Sequence, residues 1–393
     1  MQEQSKHPTD AVEGKGRTPL HELHRLGQSV WLDYIRRGIL DNGELERMIR
    51  DHDLRGVTSN PSIFEQAIGD SADYDEELER IAAEGLDASA AYERLAVADI
   101  QRAAELFRGV YDASGGTDGF VSLEVSPELA SDTQATLEEA RRLWRTVDRP
   151  NVMIKVPGTK AGLLAIEQLI ADGINVNITL LFSLSGYEQV MEAYLRGTER
   201  RVHLAKPVGR VASVASFFVS RVDGAVDARL AELLAAETDA GRQELIRSLL
   251  GRAAIDNAKL AYARFREVFS GPRWERLHEM GAQIQRPLWA STSTKNPEYR
   301  DVIYVEELIG PDTVNTMPLA TVEAFADHGV ARSTVDEDVD RARVELAELK
   351  ALGIDLDEVT EQLQVEGVEK FEKAFRDLIQ GVEEKLRRVA GRA

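Results

Sequence analysis

The chain alternates between two hydrophobic periodicities. Runs with strand-like patterning predict eight β-strands, at residues 28–35, 56–61, 120–126, 151–157, 175–183, 210–218, 287–292 and 313–319. Between them, apolar residues recur at intervals of three and four, which is typical of amphipathic helices. This alternation predicts parallel strands joined by right-handed crossovers. Eight such units predict an α/β protein with a closed (β/α)8 TIM barrel, and a doubly wound open sheet is the alternative.

Three segments are longer than one strand and helix unit requires. Residues 62–118 and 221–280 are expected to be inserted helices, and residues 335–390 a charged helical tail packed outside the barrel or against a partner. Residues 1–17 carry charges, Pro and Gly without an apolar core, so we expect a flexible N-terminal tail rather than a signal peptide. Since no linker is visible, residues 18–393 are predicted to form one barrel domain with a C-terminal helical extension from about residue 335.

Three of the predicted strands are apolar on only one face. The opposite faces carry Lys155 on the fourth strand, Glu124 on the third, and Asn177 and Thr179 on the fifth. Each strand alone would fit an antiparallel sheet with one face in water. The intervening helices favour a barrel instead, in which these polar side chains converge on the interior. Polar residues at the inner carboxyl-terminal ends of barrel strands form the active sites of this fold.

A lysine inside a barrel can serve as a fixed cation for an anion or as a nucleophile. Burial disfavours the charged form of an amine, which frees the lone pair for attack on a carbonyl and formation of a Schiff base. Such chemistry needs proton transfers, for which Glu124 on the neighbouring strand and Asp33 on the first strand are candidates. The iminium is itself the electron sink, so the sequence predicts a reaction without a metal or another cofactor.

Composition narrows the class of protein further. The chain has no cysteine, which excludes disulfides, thiolate metal sites and cysteine nucleophiles, and we expect a cytoplasmic location. No apolar run approaches the roughly 18 residues that cross a bilayer, so we expect a soluble protein without a membrane partner. A net charge of −20 disfavours nucleic acid as a partner, because the field of the protein repels it. An anionic metabolite would need locally placed cations.

Six motifs, taken in order along the chain, resemble the transaldolase family in its longer bacterial subtype. They are WLDYIRRG on the first predicted strand, GVTSNPSIF on the second, VSLEVSPELA on the third, IKVPGT on the fourth, VNITLLFS on the fifth and SFFVSRVD after the sixth. Each motif alone is common, and their order on successive strands is what makes the resemblance specific. It extends from about residue 18 to about residue 330 and covers the helical tail only loosely.

The resemblance implies a (β/α)8 barrel and four catalytic residues. Lys155 resembles the lysine that attacks the ketose C2 carbonyl. Asp33 resembles the acid/base that removes the C4 hydroxyl proton as the C3–C4 bond breaks and returns it when the acceptor adds. Glu124 is similar to the glutamate that shuttles protons through a water held by Thr179.

The resemblance also implies four substrate-binding residues, Asn60, Asn177, Ser216 and Arg221, and we predict Lys295 as a fifth. The two asparagines resemble amides that bind hydroxyls of the retained three-carbon fragment, and Ser216 with Arg221 resembles a phosphate clamp. A guanidinium matches phosphate oxygens in a bidentate manner. The chain departs from many members of the family at Phe217 and Ser220, where they carry Pro and Gly, and at Lys295, where they carry Arg. The composition of the phosphate site therefore stays open.

Taken singly, these residues have simpler explanations. Asp33 can cap the following turn, and Asn60 can be a turn residue before a proline. Arg221 can pair with Asp223 or Asp227 on a helix surface. Their order on one barrel favours the functional interpretation.

The resemblance therefore implies a transferase of the pentose phosphate pathway. It would move a dihydroxyacetone unit from sedoheptulose 7-phosphate to glyceraldehyde 3-phosphate, giving erythrose 4-phosphate and fructose 6-phosphate. The expected partners are these phosphorylated ketoses and aldoses, and the expected assembly is a monomer or homodimer. Two alternatives are a Schiff-base aldolase that releases free dihydroxyacetone and a non-catalytic sugar-phosphate-binding protein. Glu124 and the inserted helices disfavour the aldolase, and the complete catalytic set disfavours the binding protein.

Overall fold

Eight parallel strands close into a barrel in the computed structural model, which describes residues 18–390. They follow one another in chain order, and the first pairs with the last. The strands are β1 Gln28–Asp33, β2 Gly56–Thr58, β3 Phe120–Glu124, β4 Val152–Pro157, β5 Val176–Leu181, β6 Ser213–Phe218, β7 Arg286–Ala290 and β8 Thr313–Met317. The predicted barrel is confirmed, and the open sheet is wrong. The tail predicted for residues 1–17 lies outside the described residues.

Helices surround the barrel and extend over one of its ends. Those before β4 are α1 Pro19–Arg25, α2 Arg37–Asp41, α3 Glu44–Asp51, α4 Pro61–Gly69, α5 Asp75–Glu84, α6 Ala88–Leu106, α7 Arg108–Ala113 and α8 Thr133–Val147. Those between β4 and β7 are α9 Lys160–Asp172, α10 Leu184–His203, α11 Ser220–Ala236, α12 Ala240–Ser248, α13 Ala253–Val268 and α14 Pro272–Glu279. Those after β7 are α15 Ile303–Glu306, α16 Leu319–His328, α17 Val339–Ala351 and α18 Leu356–Ala390. The inserted helices predicted for 62–118 and 221–280 are thus α4 to α7 and α11 to α14.

Three helices that directly follow a strand begin at a polar N-cap residue. The side chain of Asn60 accepts from the backbone N–H of Ile63 at the start of α4. Thr159 and Ser183 cap α9 and α10 in the same way. Because such a cap satisfies an amide that the helix leaves unpaired, it fixes the residue at which the chain turns away from the barrel mouth. These short turns bring the helix N-termini close to the carboxyl-terminal ends of the strands.

The two faces of β4 have opposite environments, as the sequence predicts. Val152, Ile154 and Val156 are completely buried, and α8 and α9 pack against this strand. Lys155 lies on the other face and pairs in register with Glu124 on β3. The apolar face therefore binds the helical layer, whereas the polar face is directed to the barrel interior.

The last helix lies across the carboxyl-terminal mouth of the barrel. α18 contacts α4, α5, α6, α11 and β5. The side-chain amide of Gln364 donates to the carbonyls of Gly158 and Leu180, at 3.3 and 3.1 Å. This differs from the expectation that the tail packs outside the barrel or against a partner. α18 carries many charged residues, but its contacts with the barrel include the uncharged Gln364, Gly367 and Phe371.

No helix within residues 18–390 is both long enough and apolar enough to span a bilayer.

Candidate active site

A cavity of about 210 Å³ lies at the carboxyl-terminal mouth of the barrel. Seven of the nine predicted site residues line it, namely Asp33, Asn60, Lys155, Thr179, Ser216, Arg221 and Lys295. A larger cavity, of about 450 Å³, lies at the opposite end, where β3, β6 and β7 begin, and no lysine of residues 18–390 lines it. The smaller cavity is therefore the candidate active site, because this fold places its chemistry at the carboxyl-terminal face.

Three groups surround the amine of Lys155. It donates to the backbone carbonyl of Ser59 at 2.9 Å and lies 3.4 Å from Oε2 of Glu124. The ring of Phe371 on α18 has its centroid 6.0 Å from Nζ. Only 5% of Lys155 is exposed to solvent. The amine is thus fixed in position inside the barrel while it borders the cavity.

The two carboxyl groups beside Lys155 have raised pKa values. Burial raises the pKa of Asp33, and the charge of Lys155, a hydrogen bond from Thr58 at 2.6 Å and the charge of Arg221 oppose this effect. Burial also raises the pKa of Glu124, again opposed mainly by Lys155. A carboxyl group with a raised pKa exchanges protons closer to neutral pH, as a general acid or base must. Both groups therefore suit proton transfer at a lysine-bound carbonyl.

Two buried oxygens beside Lys155 have no hydrogen-bond partner within the part of the chain that the structure describes. They are Oε2 of Glu124 and Oγ1 of Thr179, on the two strands that flank β4. The ion pair of Glu124 with Lys155 is too long to count as a good hydrogen bond. Because buried polar atoms are nearly always satisfied by protein or by ordered water, this arrangement suits a bound water.

The strand that carries Thr179 is irregular directly after this residue. Leu180 adopts a left-handed backbone with φ of +61°, at an irregularity in the pairing between Ile178 and Leu181. A non-glycine residue in this region is strained, and such strain is concentrated at functional sites. The hydrogen bond that Gln364 donates to the Leu180 carbonyl supports this conformation from α18.

Asn177 and Glu124 do not line the cavity. Asn177 is completely buried, and its amide accepts from Ser216 at 2.7 Å and donates to Ser122 at 3.0 Å. It therefore orients the hydroxyl of Ser216, which does border the cavity. Glu124, whose side chain is 6% exposed, meets the site through the amine of Lys155.

The guanidinium of Arg221 does not pair with Asp223 or Asp227, the acidic residues that follow it on α11. Asp223 accepts from the backbone of Ala254 and from Tyr304, and Asp227 accepts from Gly251 and Tyr299. Arg221 instead packs over the ring of Phe218, and its buried Nη1 has no hydrogen-bond partner among residues 18–390.

Burial lowers the pKa of Arg221, an effect that the charge of Asp33 opposes. A partly buried guanidinium facing a cavity favours an anionic ligand, because a buried charge is costly unless it is paired. The amine of Lys295, which donates to Ser293 at 2.8 Å, adds a second cation to the same cavity.

Several residues of the cavity could not be found from the sequence. Phe371 lies in the tail, beyond the last motif of the chain, and no pattern in α18 distinguishes it from other apolar positions. Ser291, Ser293 and Thr316 follow or end strands without a motif of their own. Only their position on the last two strands of a closed barrel would have indicated them.

Comparison with known proteins gives consistent similarities along most of the chain. The transaldolase/fructose-6-phosphate aldolase family model matches residues 30–382. A transaldolase of Parafrankia sp. (strain EAN1pec) is 50% identical over 369 residues, covering 94% of this chain and 98% of that protein. Transaldolase 1 of Streptomyces coelicolor is 50% identical over 368 residues, covering 93% and 94%, and a transaldolase of Frankia alni is 48% identical over 371 residues, covering 94% and 98%. The similarity therefore includes most of α18, beyond the limit near residue 330 that the motifs suggested.

Proposed function

The chain belongs to the transaldolase/fructose-6-phosphate aldolase family, and on that premise we propose that it is a transaldolase. It transfers a dihydroxyacetone unit from sedoheptulose 7-phosphate to glyceraldehyde 3-phosphate, giving erythrose 4-phosphate and fructose 6-phosphate. One observation carries the proposal. A buried lysine amine lies beside two carboxyl groups of raised pKa, and a guanidinium that has no acidic partner within residues 18–390 borders the same cavity.

The reaction begins with attack of the Lys155 amine on C2 of the ketose. The resulting carbinolamine loses its hydroxyl as water when Glu124 supplies a proton, and an iminium forms between C2 and Nζ. The oxygens of Glu124 and Thr179, which have no partner in the described part of the chain, provide a place for this water. In the last step the same water position serves the reverse reaction, in which the product iminium is hydrolysed.

Carbon–carbon cleavage requires a base at the C4 hydroxyl. Asp33 takes this proton, the C3–C4 bond breaks, and its electron pair passes into the enamine that the iminium stabilises. The aldose leaves with its phosphate. When the acceptor aldehyde binds, the enamine carbon attacks its carbonyl, and Asp33 returns the proton to the new hydroxyl.

Product analysis distinguishes this function from the two alternatives. With fructose 6-phosphate and erythrose 4-phosphate as substrates, we expect sedoheptulose 7-phosphate to form at a rate that exceeds the release of free dihydroxyacetone. An aldolase would release dihydroxyacetone whether or not the acceptor is present. A binding protein would form neither product, and that result would reject the proposal.

We expect Arg221→Ala to raise KM for phosphorylated donors by about tenfold to a hundredfold, because a charge-assisted hydrogen bond contributes about 1.5–3 kcal/mol. Lys295 limits the loss, since it borders the same cavity. Steady-state kinetics with fructose 6-phosphate measure the effect, and free fructose as the donor should respond little.

Arg229→Ala is a matched control, because Arg229 lies on the same helix, donates to Gln362 at the surface and does not line the cavity. Equal losses for the phosphorylated and the unphosphorylated donor would make Arg221 a structural residue.

Exhaustive treatment with EDTA is expected to leave the activity unchanged. The protonated imine withdraws electrons from the C3–C4 bond, which is the task that a metal ion performs in other aldolases. The rate of sedoheptulose 7-phosphate formation before and after chelation gives the measurement. Activity that is lost on chelation and returns with zinc or magnesium would show that the proposed reaction class is wrong.

The proposal extends to location and assembly. A chain without cysteine that acts on sugar phosphates suits the cytoplasm, and its net charge of −20 disfavours nucleic acid as a partner. We propose a monomer or a homodimer, because the side chains proposed for catalysis and phosphate binding meet within one chain.

A further inference from the structure

The ring of Phe371 forms the part of the cavity wall that α18 contributes. Phe371 is 7% exposed and lines the cavity together with Lys155. Gln364, Gly367 and Phe371 follow one another at spacings of three and four residues, so they share the helix face that meets the barrel. Gly367 lies against Leu180, and a β-carbon at this position would lie 3.0 Å from Cδ2 of Leu180. The absence of a side chain at Gly367 thus lets α18 approach closely enough for Phe371 to reach the cavity.

The distance of the ring from Lys155 indicates what the ring does there. Its centroid lies 6.0 Å from Nζ, which is the outer limit of a cation–π interaction. Electrostatic stabilisation of the ammonium or iminium by the ring is therefore weak. The remaining effect is steric, because a nearly buried phenyl group occupies space that water would otherwise fill.

Water matters most after the donor has been cleaved. At that stage the enamine on Lys155 can react with the acceptor aldehyde or with a proton. Protonation at C3 forms a C3–H bond and restores the iminium. One water then adds at C2, the C2–N bond breaks with its electron pair returning to Lys155, and free dihydroxyacetone leaves. In transfer, water adds at C2 only after the new C3–C4 bond has formed.

We propose that Phe371 determines the partition between transfer and hydrolysis by excluding bulk water from the enamine. This inference rests on the proposed function. The single water needed for hydrolysis of the product has its own place at Glu124 and Thr179, whose oxygens lack other partners among the described residues. Phe371 is therefore a specificity-determining residue that lies on a helix outside the eight strand and helix units.

Leu378 on the same helix provides a control. It lies seven residues further along and is 1% exposed. It lines neither the cavity of Lys155 nor the neighbouring cavity that contains Glu124 and Phe375. Leu378→Ala therefore removes a buried apolar side chain from α18 without opening the active site.

The experiment compares two rates in each variant. One is formation of sedoheptulose 7-phosphate from fructose 6-phosphate and erythrose 4-phosphate, and the other is release of free dihydroxyacetone from fructose 6-phosphate alone. For Phe371→Ala we expect the ratio of release to transfer to rise about tenfold, which corresponds to a change of about 1.4 kcal/mol between two competing barriers. Leu378→Ala should keep the wild-type ratio.

Phe371→Leu keeps an apolar side chain of similar length in the helix interface. It replaces the alanine variant in the same measurement if the alanine variant does not fold. It should raise the ratio as well, to a smaller extent, because a leucine does not fill the space of a phenyl ring. A ratio equal to that of wild type in Phe371→Leu, or equal changes in the alanine variants at 371 and 378, would overturn the inference. If wild type itself formed no sedoheptulose 7-phosphate, the proposed function would fail instead, so the two failures are distinguishable.

Discussion

Lys155→Arg is expected to abolish both turnover and the trapping of a covalent adduct by borohydride. A guanidinium stays protonated and cannot attack a carbonyl, so no iminium forms for borohydride to reduce. Arginine keeps the positive charge beside Glu124, which separates the loss of the nucleophile from the loss of an ion pair. The measurement is incubation with fructose 6-phosphate and borohydride, followed by mass analysis of the peptide that contains residue 155.

Lys259→Arg is the control for this experiment. Lys259 is also buried, at 1% exposure, but its amine pairs with Glu307 at 3.2 Å and does not border the cavity. This variant should still be trapped at Lys155. An adduct found on any other lysine in the wild-type protein would mean that the nucleophile has been assigned wrongly.

Asp33→Asn should lower kcat by roughly 10²- to 10⁴-fold, the usual contribution of a general acid or base. Asparagine keeps the size of the side chain and an oxygen that can accept the hydrogen bond of Thr58, so binding of the donor should change little. Iminium formation precedes the step that needs Asp33. Borohydride should therefore still trap fructose 6-phosphate on Lys155 in this variant, while cleavage is slow.

A second buried carboxyl group tests whether this effect is specific. Asp118 bonds to Ser29 and Trp31 near the amino-terminal end of the barrel, away from the cavity of Lys155. Asp118→Asn should cost stability but leave kcat near the wild-type value. If Asp33→Asn also prevented trapping, Asp33 would act earlier, during formation of the iminium.

The sequence could predict those parts of the molecule that depend on local periodicity. The alternation in β4 indicates that Lys155 and its apolar neighbours face opposite sides, and the helices between the strands decide which side is the interior. In the structure Lys155 and Glu124 are indeed adjacent. The order of strands around a closed barrel then places Asp33 and Thr179 near the same end without further information.

Details that depend on which side chains contact each other in the folded protein could not be predicted from the sequence. Asn177 is on the inward face, as predicted, but its amide is occupied by Ser122 and Ser216, and periodicity cannot show which polar side chains bond to each other. Asn60 both caps α4 and borders the cavity, so its two interpretations are compatible. Phe371 was not found, because helical periodicity identifies an apolar face without identifying what that face covers.

The position of α18 has a consequence for biosynthesis. Barrel closure pairs β1 with β8. The side-chain hydrogen bond between Gln28 and Thr313 joins residues that are 285 positions apart in the sequence. While a ribosome is still adding β8, the nascent chain can hold only an open sheet with unpaired edges, which are prone to aggregate. α18 follows every strand, so the lysine pocket stays uncovered even after the barrel has closed. Exclusion of water from the pocket is therefore acquired last, and a translation product that stops between β8 and α18 would be a closed barrel in which Lys155 is accessible to water.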